Sequence, residues 1–521
     1  MAEAREASGI RRAEIVALLA AATALTVGQS PESLFDGTRM AVAMARRLGW
    51  PEAQVSTVYW YGLLRFAGCN AEAHDFSALI GDEVEFNRRL GRIDAQPREL
   101  VPLLVGMIRA ANAGRSPLAL AAAVAGGLLG SRQGANEMIA GHCDVAQRLA
   151  IRLGFDEAVV AALGQFRERW DGKGSPRGIK GEALQPAVRL VLLCHDAATL
   201  AEAFGMDEAI ELIGRRRGSA YDPKLVDFLL GPGRDLLEAP SAADRWRPVI
   251  DAEPGPAAVL NDDDVDEACA VMADFIDLKL LDAISHSRAV AGLADAAAST
   301  LGLPAEECRV LHRAALLHDL GYAGVPVRSR GGHGGHPPAE MKLHPFHGEE
   351  MVGRVAALRA VAGLLGRHHE ACDGSGFYRG LNGAALSPAA RLLAAAETYQ
   401  TLAEGRFGGP TLDAAGAAAA FRAEITAGRI DPDAGRAVLA AAGHKVPAKR
   451  RDLLAGLTNR ELEILRLVAR GKSMKEVGAE LGISPKTVDN HLQNLYPKIG
   501  VKTRAGATLF AIEHGLCTLP N

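Results

Sequence analysis

Two stretches of the chain, residues 166–196 and 368–398, carry one pattern at a constant offset of 202 residues and without a gap. Eight of the identical positions define the pattern, and four of these eight are glycines, which set the backbone conformation. Residues 62–70 also align with residues 315–323. The chain is therefore interpreted as a tandem duplication. The identical pairs are Asp171 and Asp373, Gly172 and Gly374, Gly174 and Gly376, Arg177 and Arg379, Gly178 and Gly380, Gly181 and Gly383, Pro186 and Pro388, and Arg189 and Arg391.

Length and composition agree with several helical domains. At 521 residues the chain is too long for one hydrophobic core. Alanine and glycine supply much of its apolar content and only 5% of residues are aromatic, which favours packed helices over β-sandwiches. We predict an all-α fold with a first domain over 1–235, a Pro/Gly/Asp-rich linker over 236–264, a second domain over 265–445, and a C-terminal domain over 450–521.

Charge, cysteines and apolar runs restrict the class of protein. A net charge of −4 argues against a surface that binds nucleic acid or membrane everywhere. The seven scattered cysteines, none in a CxxC spacing, are typical of reduced core residues. The apolar runs at 16–27 and 118–129 are shorter than the roughly 20 residues of a membrane span, and the acidic start is a poor signal peptide. We expect a cytoplasmic protein.

The second copy contains a set of imidazole and carboxylate side chains that suits first-row divalent metals such as Fe, Mn or Zn. Asp282 and His286 are four apart, on one face of a predicted helix. His318 and Asp319 lie in an apolar context that predicts a second buried helix, where neighbouring side chains diverge by about 100° and a carboxylate is able to bridge two ions. The sequence thus predicts a paired metal site. Its predicted ligands are Asp282, His286, His318, Asp319, His344, His368, His369 and Glu397.

The motifs LLHDLGYAGVP, HPFHG and HHEACDGSGFYRGLNG, in this order, resemble the HD-GYP subfamily of HD-domain phosphohydrolases, whose pattern is HDxGK, HPxxG and HHExxDGxGYPxGLxG. The resemblance implies an all-helical domain in which these ligands hold two metal ions, with Asp282 at the position of a third-metal carboxylate. It also implies metal-assisted hydrolysis of a phosphodiester, usually cyclic di-GMP, with Asp319 and residue 322 in the catalytic machinery.

This copy departs from the subfamily pattern mainly around the substrate. Tyr322 replaces the lysine of HDxGK, and a tyrosine hydroxyl donates a hydrogen bond but carries no positive charge. Arg379 and Arg406 are the predicted substrate-binding cations, whereas a second basic residue expected after Arg406 is Gly409. Two functions follow: a phosphodiesterase that turns over, or a domain that binds metal and senses a ligand. A third interpretation is that the histidines are structural.

The first copy has lost most of the predicted ligands. Arg65 and Phe66 stand where the second copy has its His-Asp pair, and Phe166 and Arg167 stand where it has its two adjacent histidines. His142 and His195 remain, which are too few for a binuclear site. We expect a non-catalytic sensory or dimerisation domain. Its loop DGKGSPRGIKG either binds an anion or is a solvated structural loop.

The C-terminal segment is basic and has helix-capping signals. Residues 449–521 contain 12 Lys/Arg and 7 Asp/Glu, and Thr458, Ser473 and Ser484 precede three predicted helices. The sequence from Leu457 resembles the LuxR-type (NarL-type) helix-turn-helix domain, whose third helix reads the major groove. Pro497 should kink or end that helix early. The predicted DNA-binding residues are Lys486, Thr487, Asp489, Asn490, Gln493, Lys498, Lys502 and Arg504.

Together these features predict a bacterial transcription regulator: a degenerate HD-like domain, an HD-GYP-like domain with two divalent metal ions, and a four-helix LuxR-type domain. The expected partners are double-stranded DNA, a cyclic dinucleotide or other phosphodiester, and a second copy in a homodimer. The alternative is a cyclic di-GMP phosphodiesterase-like enzyme that its DNA-binding tail only localises.

Overall fold

The computed structural model describes residues 9–70, 80–114, 132–237, 245–279, 284–327, 339–407, 409–446 and 457–514, with a few isolated positions between them. These residues form 23 α-helices, short 3-10 turns and one pair of two-residue strands, which confirms the all-α prediction. The helices are α1 (Arg12–Thr26), α2 (Pro31–Arg47), α3 (Glu52–Leu64), α4 (Glu83–Leu90), α5 (Pro97–Ala111), α6 (Arg132–Arg152), α7 (Glu157–Leu163), α8 (Pro186–Phe204), α9 (Met206–Arg215), α10 (Pro223–Leu230), α11 (Trp246–Asp251), α12 (Asp262–Lys279), α13 (His286–Leu301), α14 (Ala305–Leu317), α15 (His344–Gly353), α16 (Arg359–Leu365), α17 (Pro388–Glu404), α18 (Ala414–Thr426), α19 (Pro432–Ala441), α20 (Asn459–Ala469), α21 (Met474–Leu481), α22 (Pro485–Lys498) and α23 (Arg504–Glu513).

The chain forms two compact units, residues 1–445 and 446–521. Within the first unit the sequence repeat is also a repeat of contacts. The buried carboxylate of Glu168 accepts hydrogen bonds from the backbone N–H groups of Arg177 and Ile179 at 2.8 and 2.9 Å. Glu370 does the same for residues 379 and 381 at 2.8 and 2.7 Å. One buried acid in each copy therefore holds the glycine-rich loop.

A glycine in each copy allows two backbone segments to touch. A Cβ atom on Gly68 would lie 2.0 Å from the carbonyl oxygen of His142, and one on Gly321 would lie 1.9 Å from that of His344. These distances are far inside van der Waals contact, and the obstacle is backbone rather than a flexible side chain. The close approach brings the segment after α3 or α14 against the helix that carries the next histidine.

We expect Gly68→Ala to destabilise the protein by about 3 kcal/mol, because the new methyl group forces the backbone at His142 to shift. The matched control is Gly292→Ala, in the middle of α13, where the new methyl meets no atom within 4 Å. Helix propensity predicts that this control gains up to about 1 kcal/mol. Urea unfolding curves of the two variants and the parent protein measure both values. Equal stability of the two variants would contradict the close-contact argument.

The predicted linker is partly folded against the first copy. Val249 and Ile250 in α11 are buried, and the Val249 carbonyl accepts a hydrogen bond from the Tyr59 hydroxyl at 3.1 Å. The strand Val259–Leu260 pairs with Ile10–Arg11 in antiparallel register. Burial of apolar side chains explains why this part of the predicted linker is folded. The Pro/Gly/Asp content of the segment did not indicate that burial. Residues 238–244 of the predicted linker lie outside the described residues.

Helix α1 belongs in sequence to the first copy but also contacts the second. It packs against α2 and α3, and also against the 3-10 turns of His318–Gly324. Its residues Leu18 and Leu19 are at most 1% exposed. The two copies therefore share a hydrophobic core. No helix among the described residues has both the length and the apolar character to cross a membrane.

The C-terminal unit contains four helices, α20 to α23, around a small apolar core. Thr458, Ser473 and Ser484 cap α20, α21 and α22 as predicted, each accepting from a backbone N–H two or three residues inside the helix. Helix α22 ends at Lys498, one residue after Pro497, in line with the predicted early end. This arrangement is a helix-turn-helix formed by α21 and α22.

Candidate functional site

The ligand-type residues of the second copy come together, most of them at helix ends, and the backbone at three of them differs from the prediction. His286 is the first residue of α13, because Ser285 before it has a left-handed backbone (φ 66°) that an α-helix does not accommodate. The predicted helix through 282–286 is therefore wrong, and Asp282 itself lies outside the described residues. The helix predicted at His318 and Asp319 is also wrong, since α14 ends at Leu317 and both residues begin the 3-10 turns.

Three imidazoles, His344, His368 and His369, form one cluster. The Nδ1 atoms of His344 and His368 each donate to a backbone carbonyl, of Met341 and Leu365, at 2.6 Å. Their Nε2 atoms therefore carry lone pairs, and these two atoms lie 2.9 Å apart. Burial holds the pKa of both imidazoles well below its ordinary value, which disfavours a shared proton. Lone pairs that face each other in this way fit coordination of a metal ion.

A second cluster consists of His286, His318 and Glu397, whose ligand atoms lie within 4.8 Å of one another. His286 Nε2 is 2.8 Å from Glu397 Oε2, and His318 Nε2 is 3.2 Å from the same oxygen. Burial and Arg406 lower the pKa of His286, but the carboxylates of Glu397 and Glu404 outweigh them and raise it to about 9. This cluster combines imidazole and carboxylate, as a first-row metal site requires.

Asp319 lies between the two clusters. Its Oδ1 atom is 3.3 Å from His318 Nε2 and 3.7 Å from His344 Nε2, and it is buried without a hydrogen-bond donor among the described residues. Burial raises the pKa of Asp319, but His318 and Arg406 outweigh it and hold the pKa below its ordinary value. An ionised carboxylate therefore lies between the two clusters, and its role as a bridge between metal ions stays a prediction.

Arg406, predicted to bind a phosphate, lies inside the second cluster. Its side chain is 2% exposed, with Nη2 2.9 Å from Asp319 Oδ2 and Nη1 2.6 Å from His286 Nε2. Nη1 is also 3.7 Å from Glu397 Oε1. The guanidinium therefore supplies positive charge beside these two buried carboxylates.

The other residues predicted around the substrate form a layer over the imidazole cluster. The Tyr322 ring is fully buried and stacks on the His344 imidazole, with centroids 3.8 Å apart and planes at 21°. Arg379 is half-exposed, pairs with Glu349 at 2.9 Å and lies over the Tyr378 ring. Tyr322 therefore holds one ligand in place, whereas Arg379 remains available to a ligand from solvent.

Two carboxylates at this site were not among the predicted residues. Glu404 Oε2 lies 2.7 Å from His286 Nδ1, and Asp277 accepts from the backbone N–H and the hydroxyl of Ser287 at 3.1 and 2.7 Å. Glu404 is two helical turns after Glu397 on α17, so it lies on the same face, and that spacing was the available signal. Asp277 lies on a different helix from Ser287, and the sequence gives no sign of that contact.

The corresponding region of the first copy has no metal-ligand cluster among the described residues. His142 stacks on Phe166, with centroids 4.4 Å apart, and burial lowers its pKa to about 3. His195 Nε2 is 3.0 Å from the Thr38 hydroxyl. His142 Nε2 also lies 3.5 Å from Cys69 Sγ, but no third ligand-type side chain completes a cluster with either histidine among the described residues.

The predicted DNA-reading residues lie on one helix, α22. Val488, Leu492 and Leu495 are buried on its inner face. Lys486, Asn490 and Gln493 are exposed, and Thr487 and Asp489 are half-buried. Lys486 Nζ lies 3.1 Å from Asp489 Oδ2. The outer face of α22 therefore presents amide and charged groups that suit base edges and phosphates.

Two of the predicted phosphate-binding residues also have contacts within the C-terminal unit. Lys498 Nζ pairs with the Glu461 carboxylate at 2.7 Å. An Arg504 amine donates to the carbonyls of Val468 and Lys472, at 3.1 and 2.7 Å, at the end of α20. Lys502 is exposed. Lys498 and Arg504 thus help to hold the helices together, although both are exposed, as Lys502 is.

Comparison with known proteins gives two families. Residues 132–225 and 270–434 match the HD domain family, and residues 455–511 match the luxR family of bacterial regulatory proteins. The 3'3'-cGAMP-specific phosphodiesterase 3 of Vibrio cholerae is 27% identical over 401 residues, which cover 75% of this chain and 86% of the relative. The response regulator protein VraR of Staphylococcus aureus is 41% identical over 68 residues, which cover 13% of this chain and 32% of VraR.

A solved structure shares the fold of the larger unit. The crystal structure of a cyclic GMP-AMP specific phosphodiesterase of V. cholerae superimposes with a TM-score of 0.58 at 24% sequence identity. The match covers 84% of this chain and 99% of that chain. Both copies of the duplication therefore have a counterpart in a known helical architecture.

Proposed function

We propose that this chain, which joins segments of the HD domain family to a C-terminal domain of the luxR family of bacterial regulatory proteins, is a transcription regulator that responds to a cyclic dinucleotide at its second HD domain. The observation that carries the proposal is the pair of facing Nε2 atoms of His344 and His368, 2.9 Å apart. Two lone pairs that face each other do not stabilise the fold, so a purely structural role does not explain this arrangement.

In this proposal the imidazole cluster and Asp319 hold a divalent metal ion, and a second ion at His286, His318 and Glu397 requires Arg406 to leave. A bound metal ion supplies Lewis-acid polarisation of a phosphodiester oxygen. The number and identity of the ions, with Mn and Fe as the leading candidates, belong to the proposal.

Side chains outside the ligand clusters orient the ligand. Tyr322 fixes the His344 ring by stacking, and the half-exposed Arg379 is placed to pair with a phosphate oxygen that enters from solvent. Arg406 reaches the same phosphate once it leaves Asp319. The named substrate of the V. cholerae relative, 3'3'-cGAMP, makes a cyclic dinucleotide the ligand class to test first.

At the other end of the chain, the proposal places α22 in the major groove of DNA. Asn490 and Gln493 are exposed amides one turn apart, and a side-chain amide makes two hydrogen bonds to the major-groove edge of adenine. Lys486 and Lys502 contact phosphates, and two chains in a homodimer read two half-sites. Occupancy of the HD site then alters the affinity of the paired domains for DNA.

Joint replacement of Asn490 and Gln493 by alanine is expected to weaken specific DNA binding about 10- to 100-fold, because two base contacts are lost. The measurement is selection of bound fragments from sheared genomic DNA by the full-length protein, followed by titration of the best fragment at fixed salt. Glu513→Gln, exposed at the end of α23, changes one charge away from α22 and serves as the control. Unchanged affinity in the double alanine variant would argue against α22 as the reading helix.

A second function has its own support, namely that the metal-ligand set is nearly complete. The protein is then a metal-dependent phosphodiesterase that DNA binding only localises. Product release from 3'3'-cGAMP by the wild-type protein, absent in Asp319→Ala, would favour the enzyme. DNA affinity that changes with a cyclic dinucleotide, in a protein without turnover, would favour the sensor.

A further inference from the structure

At the first-copy positions that match the ligand-type residues of the second copy, positively charged side chains have replaced negatively charged ones. In the second copy the corresponding region contains two carboxylates and several imidazoles. In the first copy both carboxylates are absent, and two guanidinium groups are present. The replacements are Arg65 for His318, Phe66 for Asp319, Arg167 for His369 and His195 for Glu397. The region has therefore changed from one that attracts cations into one that attracts anions.

Arg65 is buried without a counter-ion. It is 4% exposed, and its Nε and Nη1 atoms are buried and have no hydrogen-bond partner among the described residues. Its guanidinium carbon lies 4.9 Å from the ring centroid of Phe66 and 5.6 Å from that of Phe166. Cation–π contacts offset only part of the cost of burying a charge. An anion that accepts from Nε and Nη1 would satisfy both atoms.

Arg167 approaches the same aromatic ring and also forms no ion pair among the described residues. Its guanidinium carbon lies 4.8 Å from the Phe166 centroid. Burial lowers the pKa of Arg167, and the charge of Arg65 lowers it further. The Asp196 carboxylate, whose charge acts on Arg167, accepts from the Tyr221 hydroxyl at 2.8 Å and forms no ion pair with either arginine. Two like charges thus lie close together in a poorly solvated region.

The nearby imidazoles do not compensate this charge. Burial lowers the pKa of His142 to about 3, with Arg167 adding to the effect, so this ring is neutral at physiological pH. Burial and Arg65 hold the pKa of His195 well below its ordinary value. Neither ring carries a negative charge, so neither neutralises the two guanidinium groups. A bound anion would supply that negative charge.

We propose that Arg65 and Arg167 form a phosphate-binding site in the first copy. Two guanidinium forks match the tetrahedral oxygens of a phosphate group, and the partial exposure of Arg167 gives the ligand a way in. The phosphate is either a free ion or part of a nucleotide. The site is independent of the metal clusters in the second copy, so its test uses metal-free protein and does not depend on turnover.

The first test uses wild-type, full-length protein treated with chelator and then with phenylglyoxal, which modifies arginine. At constant ionic strength, inorganic phosphate in place of chloride is expected to slow modification of Arg167 about tenfold, measured by peptide mass spectrometry. Arg109, exposed on α5, is the internal control and should react at one rate throughout. Protection by a cyclic dinucleotide at much lower concentration assigns a nucleotide phosphate, whereas protection by inorganic phosphate at equal concentration assigns the free ion. Absence of protection by either ligand overturns the proposal.

The second test uses variants and thermal unfolding. Phosphate should raise the melting temperature of the wild-type protein and leave that of Arg65→Gln with Arg167→Gln unchanged. A paired variant of the exposed loop, Lys173→Gln with Lys180→Gln, should keep the response. Loss of the response in the loop variant alone would place the anion on the loop and overturn the proposal. If the double arginine variant does not fold, Arg167→Lys keeps the charge, removes the fork, and should weaken the response.

Discussion

Replacing His368 by alanine is expected to lower the affinity of the protein for a divalent metal by about 100-fold or more, because the imidazole cluster loses one of three nitrogen ligands. Manganese bound per chain after dialysis, measured by elemental analysis, reports the change. Folding should survive the substitution, since it removes one of two lone pairs that face each other at 2.9 Å. Any phosphodiesterase activity of the wild-type protein should disappear with the metal.

His347→Ala is the matched control for this substitution. His347 is an exposed imidazole on α15, three residues after His344, and belongs to neither ligand cluster. The variant should therefore bind metal as the wild-type protein does. Equal metal content in His347→Ala and His368→Ala would mean that the imidazole cluster is not the binding site.

The second large effect concerns Arg406, whose guanidinium carries the positive charge inside the second cluster. Without metal, Arg406→Gln removes the guanidinium charge that faces the buried Asp319 and Glu397, which should cost about 3–5 kcal/mol of unfolding free energy. Manganese should restore this stability, because the cluster is now open to an ion. Elemental analysis is expected to give about one ion per wild-type chain and about two per variant chain.

Arg379→Gln is the control for this experiment. Arg379 lies in the same domain, but its side chain is 35% exposed and its ion pair with Glu349 is near the surface. Its removal should change stability by no more than about 1 kcal/mol, with the metal content unchanged. If wild-type protein and Arg406→Gln bind the same number of ions, Arg406 does not compete with metal.

The sequence predicted which side chains lie close together where these residues belong to short motifs that follow one another in order. His318, Asp319, His344, His368, His369 and Glu397 all meet within two adjoining clusters. The backbone beneath them was predicted less well. Hydrophobic periodicity reveals neither the left-handed residue at Ser285 nor the 3-10 segment from His318, in which Gly321 packs closely against the backbone of His344.

Long-range electrostatics explain the other differences. Arg406 is nine residues after Glu397, and its spacing alone is compatible with a solvent-facing phosphate ligand. Its actual position follows from the two buried carboxylates, which need a cation. In the first copy, Arg65 and Arg167 were interpreted only as the loss of metal ligands, because each residue was compared with the ligand at the matching position. The role proposed for them depends on the net charge of the whole region. The DNA-reading helix was easier to predict, because its caps and apolar stripe are local.

The contact of helix α1 with both copies bears on how the copies evolved and on which experiments can separate their roles. Since α1 packs against the turn that carries His318 and Asp319, the first copy is a support on which the second copy depends. After duplication, the first copy was thus free to lose its ligands but not its helices. Deletion of residues 1–235 would remove α1 from beneath the candidate metal site, so the roles of the two copies are separable by point substitution and not by deletion of one copy.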